Sequence, residues 1–243
     1  MSVADPIVRA IPGFCQPVAA LSHLVAAAGA LVAALPLVRL AKGSPIRTRV
    51  LLVYAACVVT NLGISGTYHA LSWDCAARPV MQRCDHFAVW LLIAGTFTAV
   101  HGVRCHGFWR SGVIALVWSY AICGVLLQVF WFRIFSSRPG LFLYLGFGSL
   151  SLVSTVKLGR EIGYRAVRPI WYAGILYASG ALLESFGHRL VLVQGWIGSH
   201  EIFHLAVVAG VIVHWSFIRA LLIKHRPVAA VVAPMDEPLR VSL

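Results

Sequence analysis

A chain of 243 residues with 60% hydrophobic and only 12% charged side chains carries half the charge of an average soluble domain, which is about 25%. That leaves too little polar surface to cover a water-soluble globule, so the composition selects a polytopic membrane protein. The formal net charge of +12 then belongs to residues flanking spans, where they set orientation and meet anionic headgroups. No nucleic-acid-binding motif accompanies it, and nucleic acid is excluded as a partner.

Seven apolar segments of spanning length, about 17–25 residues, follow one another. They are predicted at 17–38, 50–70, 86–103, 111–132, 140–157, 169–186 and 199–222. The first starts too late and runs too long for the apolar region of a signal peptide, and it counts as a span. Short punctuated loops separate the segments: Lys42-Gly43-Ser44-Pro45, Ser137-Arg138-Pro139-Gly140 and Arg168-Pro169. Each span must be helical, because in lipid a helix satisfies its own backbone. The predicted fold is all-α, a seven-transmembrane helix bundle forming one membrane domain over 1–243, without an internal repeat. An N-terminal segment of about 1–16 precedes the bundle, and the tail of about 227–243, with three prolines and Asp236-Glu237, is expected to be flexible.

Seven crossings put the N-terminus on one side with the loops after spans 2, 4 and 6. Six of the 20 basic residues fall there: Arg9, Arg78, Arg83, Arg133, Arg138 and Arg189. The other fourteen, from Arg39 and Lys42 to Lys224 and Arg240, lie with the remaining loops and the C-terminus. Positive-inside bias therefore favours N-terminus out and C-terminus in, for a multi-pass protein of the bacterial inner membrane.

Polar residues at membrane depth are costly and are functional candidates by default. His69 ends span 2, Asp85 and His86 begin span 3, and His200 and His204 begin span 7, all on the N-terminal side. Ser65 stands one turn before His69 on the same helical face, and His200 and His204 share the same i, i+4 relation. Taken singly, an H-x-x-x-H pair at a helix end is interfacial, Asp85 is a partner for Arg83 or Arg78, and Ser65 is a packing residue between helices. Their common depth makes them a set. Three imidazoles with a fourth position open describe a catalytic zinc site, whereas structural sites ordinarily use four protein ligands. Zinc lowers the pKa of its water to about 7 and polarises a carbonyl. Asp85 then serves as general base or as a group orienting a ligand, and Ser65 donates to a developing oxyanion. Glu184 and His188, at the end of span 6, are read as a polar rim to this layer. His23 and His101 have no evident partners and are read as structural.

His200-Glu201-Ile202-Phe203-His204 also spells H-E-x-x-H, the zinc-protease signature. A metzincin needs glycine three and histidine six residues after the second histidine; here Val207 and Gly210 stand there. The next histidine, His214, is ten residues on, about 15 Å along a helix and out of reach of the same ion. No later helix supplies the downstream glutamate that other such proteases use. The match is read as coincidental.

The stretch SGTYHALSWDCAARPVMQRCDHFAVWLLIAGTFTAV at 65–100 resembles the helix 2 to helix 3 signature of the hemolysin III family. That family is grouped with the progestin and adipoQ receptors and more distantly with the alkaline ceramidases. The matching elements are Ser65-x-x-x-His69, the stretch from Arg83 closing on Asp85 and His86, Leu92-Ile93-Ala94-Gly95-Thr96, and Ser199-His200-Glu201-x-Phe203-His204. The resemblance implies zinc at His69, His200 and His204, with Asp85 near the activated water and Ser65 beside it. It also implies hydrolysis of lipid amides such as ceramide, with a membrane lipid as substrate or ligand. Two departures stand out. Adiponectin receptors place the N-terminus in the cytoplasm, opposite to the charge bias here, which matches the alkaline ceramidases and opens the site outward. The proline that often follows the glycine-threonine motif is absent, Thr98-Ala99-Val100 standing in its place. Six cysteines contain no C-x-x-C pair, so a cysteine metal site is not expected. Cys75 and Cys84 flank the site loop; they are read as free, with pairing open to them in an oxidising compartment.

The expectation is thus a membrane zinc protein acting as a hydrolase of a lipid amide or ester. The alternatives are a receptor or stress-response protein with structural zinc, and a pore-forming protein. A pore calls for a polar stripe along several helices, whereas the polar groups here gather in one layer.

Overall fold

Pro17, Pro45, Pro79, Pro139 and Pro169 each fall in the first turn of a helix, where the fixed φ is already helical and the missing N–H has no partner to lose. The structure, a computed structural model, describes residues 8–187 and 190–224. His188, Arg189 and the tail 227–243 lie outside the described residues, as do the first seven residues. The elements are α1 (Pro17–Arg39), α2 (Pro45–Ala70), α3 (Arg78–Arg104), α4 (Phe108–Phe135), α5 (Arg138–Ile162), α6 (Arg168–Phe186) and α7 (Ser199–Lys224). A small antiparallel hairpin, β1 (Val191–Val193) with β2 (Ile197–Gly198), joins α6 to α7.

The described residues therefore form an all-α bundle of seven helices, and all but α6 are long and apolar enough to cross a membrane. Within its 19 residues α6 includes both Arg168 and Glu184, which dilutes its apolar character. Val25, Val32, Phe130 and Val153 are each more than half exposed on the outer surface. Such a rim of large apolar side chains suits lipid and not water. Helix α3 begins at Arg78, eight residues before the predicted start at 86. Apolarity marks only the hydrocarbon-facing part of a span; the polar turns through Gln82 and Arg83 continue the helix into the interface. Asp85 and His86 consequently sit two turns inside α3 and not at its first residue.

Helix α2 lies against both α1 and α3, and α7 against α1, α3 and α6. Leu51, Tyr54, Val58 and Leu62 of α2 meet Leu92, Ala99 and Val103 of α3 and Val211, Ile218 and Leu222 of α7 in one buried core. Glycines set how closely these helices approach. A Cβ at Gly95 would stand 2.6 Å from the Cβ of Cys57, and one at Gly66 would stand 2.7 Å from Leu24 Cγ and 2.9 Å from its backbone nitrogen.

A second core joins Trp90 and Phe97 of α3 to Val117 and Ala121 of α4 and Phe147 of α5. Its polar atoms are satisfied in series: Trp90 Nε1 donates to Gln128 Oε1 (2.9 Å), Gln128 Nε2 to the Tyr144 hydroxyl (2.6 Å), and that hydroxyl to the His86 carbonyl (3.0 Å). His101, expected to lack partners, has two: its Nδ1 meets the Trp109 carbonyl and its Nε2 lies 2.9 Å from Ser154 Oγ. The second partner comes from α5, 53 residues away, beyond the reach of any local pattern. All six cysteines are free.

Candidate metal centre

His69 is the penultimate residue of α2, where backbone carbonyls have no partner within the helix. The chain entering α1 fills that gap, with the Gln16 N–H donating to the His69 carbonyl at 3.0 Å. The same glutamine holds the ring, Oε1 lying 2.7 Å from His69 Nδ1. Arg78 places a guanidinium nitrogen 3.2 Å from that oxygen. Because guanidinium only donates, the atom is the amide oxygen and His69 Nδ1 is the donor to it. The Nε2 of His69 is then left with its lone pair, and it is buried without a hydrogen-bond partner.

His200 and His204 stand in the first two turns of α7. His200 Nδ1 lies 3.0 Å from Glu184 Oε1 on α6, and a carboxylate oxygen accepts, so this Nδ1 also donates outward. His204 Nδ1 lies 3.2 Å from His23 Nε2 on α1. His204 Nε2 is 3.1 Å from His200 Nε2, and His200 Nε2 is also 3.4 Å from His69 Nδ1, the atom that donates to Gln16. One ligand atom from each of the three histidines falls within 4.8 Å of the others. Two of the rings are buried and the third nearly so. The residues fit a divalent metal bound through imidazole nitrogen, each ring being held through its Nδ1 by a partner, as such ligands ordinarily are.

Asp85 completes the layer from α3. Its Oδ2 is 4.0 Å from His69 Nε2, and the buried Ser65 hydroxyl lies beside the carboxylate. The structure thus brings all five sequence-predicted residues, His69, His200, His204, Asp85 and Ser65, to one place. Neither arginine suggested for Asp85 pairs with it. Arg78 donates to the Leu71 carbonyl and Gln16 and stacks over Tyr68 and Trp73, and Arg83 lies over the Phe132 ring.

Glu201 faces elsewhere. Its buried carboxylate accepts the Gly198 N–H at 3.0 Å through Oε2, tying the hairpin to the first turn of α7. His214 stacks on Tyr177 of α6, remote from the three imidazoles. Both observations agree with setting the protease pattern aside.

Below the imidazoles a cavity of about 1770 Å³ runs into the bundle, lined by His69, His200, His204 and Asp85 at its head and by Leu92, Phe97, Leu141, Leu158, Ile170 and Val207 deeper in. Small-molecule clefts are about 300–1,000 Å³, so this one has room for a long apolar chain.

Sequence reasoning missed Gln16 and His23 and gave Glu184 only a rim. The reading of His23 as partnerless is corrected: its partner, His204, is 181 residues away. One local signal was present. Gln16 and His23 are polar residues two turns apart on the same face of an otherwise apolar segment, starting from the membrane side that holds the other histidines.

Seven helices and a trio of imidazoles gathered at one end of the bundle define a multi-pass membrane protein with a candidate metal centre. Residues 16–215 match the family model described as Haemolysin-III related, and the chain belongs to that family. It is 30% identical over 126 residues to Hemolysin-3 of Bacillus cereus, covering 52% of this chain and 54% of that one. It is 27% identical over 105 residues to a Hemolysin-3 homolog of Bacillus subtilis (strain 168), covering 43% and 49% respectively. The matched part thus spans about half the length of these curated relatives.

Proposed function

We propose that this protein is a metal-dependent hydrolase of a membrane lipid amide or ester, with zinc held by His69, His200 and His204. The observation carrying the reading is the meeting of three ring nitrogens within 4.8 Å at the head of an apolar cavity. Zinc in that position supplies Lewis acidity to a carbonyl and makes water nucleophilic at neutral pH.

The remaining work falls to the chain. Asp85 Oδ2 takes the proton of the attacking water and returns it to the leaving nitrogen or oxygen. The Ser65 hydroxyl positions that carboxylate at rest and donates to the oxyanion as it develops. The apolar wall from Leu92 to Val207 holds the acyl chain and keeps bulk water out. Among the described residues three protein nitrogens gather without a fourth ligand, which favours a catalytic over a purely structural ion.

The test uses the purified full-length protein in detergent. Elemental analysis should find about one zinc per chain, as a single three-histidine site requires. Asp85→Asn should keep the metal and lose about 10²–10⁴-fold in turnover on a panel of ceramide-like amides and lipid esters. His204→Ala should lose both metal and turnover. Active protein without metal overturns the site. Zinc retained with no lipid hydrolysed would leave the receptor reading in place.

A further inference from the structure

Helix α1 carries a short relay of hydrogen bonds ending on His204. It starts at the Ala19 carbonyl, which only accepts, and which lies 3.1 Å from Ser22 Oγ. A hydroxyl has one proton. With that proton on Ala19, Ser22 Oγ can only accept from the next atom, His23 Nδ1, at 3.4 Å. His23 therefore carries its proton on Nδ1. The ring is buried, 2% exposed, and no acid pairs with it among the described residues, so it is the neutral form and its Nε2 is an acceptor. The atom facing Nε2 is His204 Nδ1 at 3.2 Å, with the rings edge to face. His204 must then donate from Nδ1 and present the lone pair of Nε2 to the centre, 3.1 Å from His200 Nε2.

From this relay we infer that His23, backed by Ser22, is a positioning residue that fixes His204 in its metal-binding tautomer and sets the affinity of the centre. The inference rests on the reading that His69, His200 and His204 hold a metal. It assigns α1 a direct part in that site. Gln16 sets the tautomer of His69 and Glu184 that of His200; His23 completes the set by doing the same for His204. Without an acceptor at this place, the buried Nδ1–H of His204 has no partner. The ring then gains by rotating, or by moving its proton to Nε2, and either change removes a ligand.

Affinity for zinc is measured on full-length protein by competition with a chromophoric chelator, and the visible spectrum of the cobalt-substituted protein reports the ligand field. His23→Leu keeps the volume and removes the acceptor; it should weaken zinc binding about 10–100-fold and alter the cobalt spectrum. His23→Gln offers an amide oxygen at the same reach and should restore binding to within error of wild type. Ser22→Ala releases the His23 tautomer without touching the His204 contact, and should fall between the two. This variant keeps the test alive should His23→Leu fail to fold.

Wild-type affinity in His23→Leu overturns the inference while leaving the zinc reading intact. So does an equal loss in His23→Leu and His23→Gln, which is the mark of packing alone. A wild-type protein that binds no zinc removes the centre itself and this inference with it.

Discussion

Glu201 stands between two imidazoles in sequence and away from them in space. At the start of α7 its carboxylate is well placed to accept a free backbone N–H, and it takes that of Gly198. This is how an acidic residue in a first helical turn ordinarily contributes, through a hydrogen bond and the positive end of the helix dipole. The residue is 1% exposed, so its loss leaves an N–H unsatisfied in a closed space. Glu201→Ala should lower stability by about 1–2 kcal/mol, seen as a lower Tm in detergent, while Glu201→Gln retains an accepting oxygen and should be close to neutral. Neither should change zinc content, and Glu201→Gln should keep lipid turnover. A Glu201→Gln protein that folds, holds zinc and has lost all turnover would restore the glutamate as the base and displace Asp85.

The element scale is governed by how closely α1, α2 and α3 approach one another. At Gly66 the neighbour is the α1 backbone beside His23, and backbone cannot swing aside. Gly66→Ala should push α1 off α2, costing about 1–3 kcal/mol, and should weaken zinc binding because Gln16 and His23 both ride on that segment. Gly95→Ala meets Cys57 and should lower the Tm alone, since Gly95 lies about 15 Å along α3 from Asp85. Gly63, on α2 with open space around it, is the control and should tolerate alanine. If Gly66→Ala and Gly95→Ala affect zinc equally, α1 has no special part in the centre. The existence of these helices was legible in the sequence because lipid demands an uninterrupted apolar run from each. Their polar ends were not: α3 gains Arg78 to Asp85, and the hairpin of Val191–Val193 with Ile197–Gly198 is too short to show a period.

For the whole molecule, depth was the legible quantity. Alternation of spans placed His69, Asp85, His200 and His204 in one layer, and the structure brings their side chains together there. What depth alone does not give is which neighbour each ring turns to, so the partners Gln16 and His23 emerged only with the packing of α1. Depth also ties the layer to one face of the membrane. The site lies at the end of the bundle where α1 begins, and only six of the 20 basic residues belong to that side of the sequence. With α6 crossing, its 19 residues reach about 28 Å, close to the roughly 30 Å hydrocarbon core. The end of α7 then lies opposite the start of α1, and with fourteen basic residues on that side of the sequence positive-inside bias predicts that end to be cytoplasmic. Fusions after the last residue with two reporters, one fluorescent only in the cytoplasm and one enzymatically active only outside, read this directly. The fluorescent fusion should give the signal, which would turn the imidazole layer toward the outer leaflet, the side from which the proposed lipid substrate would then enter. Signal from the external reporter would reverse the molecule, or show that one helix, α6 before the others, does not cross.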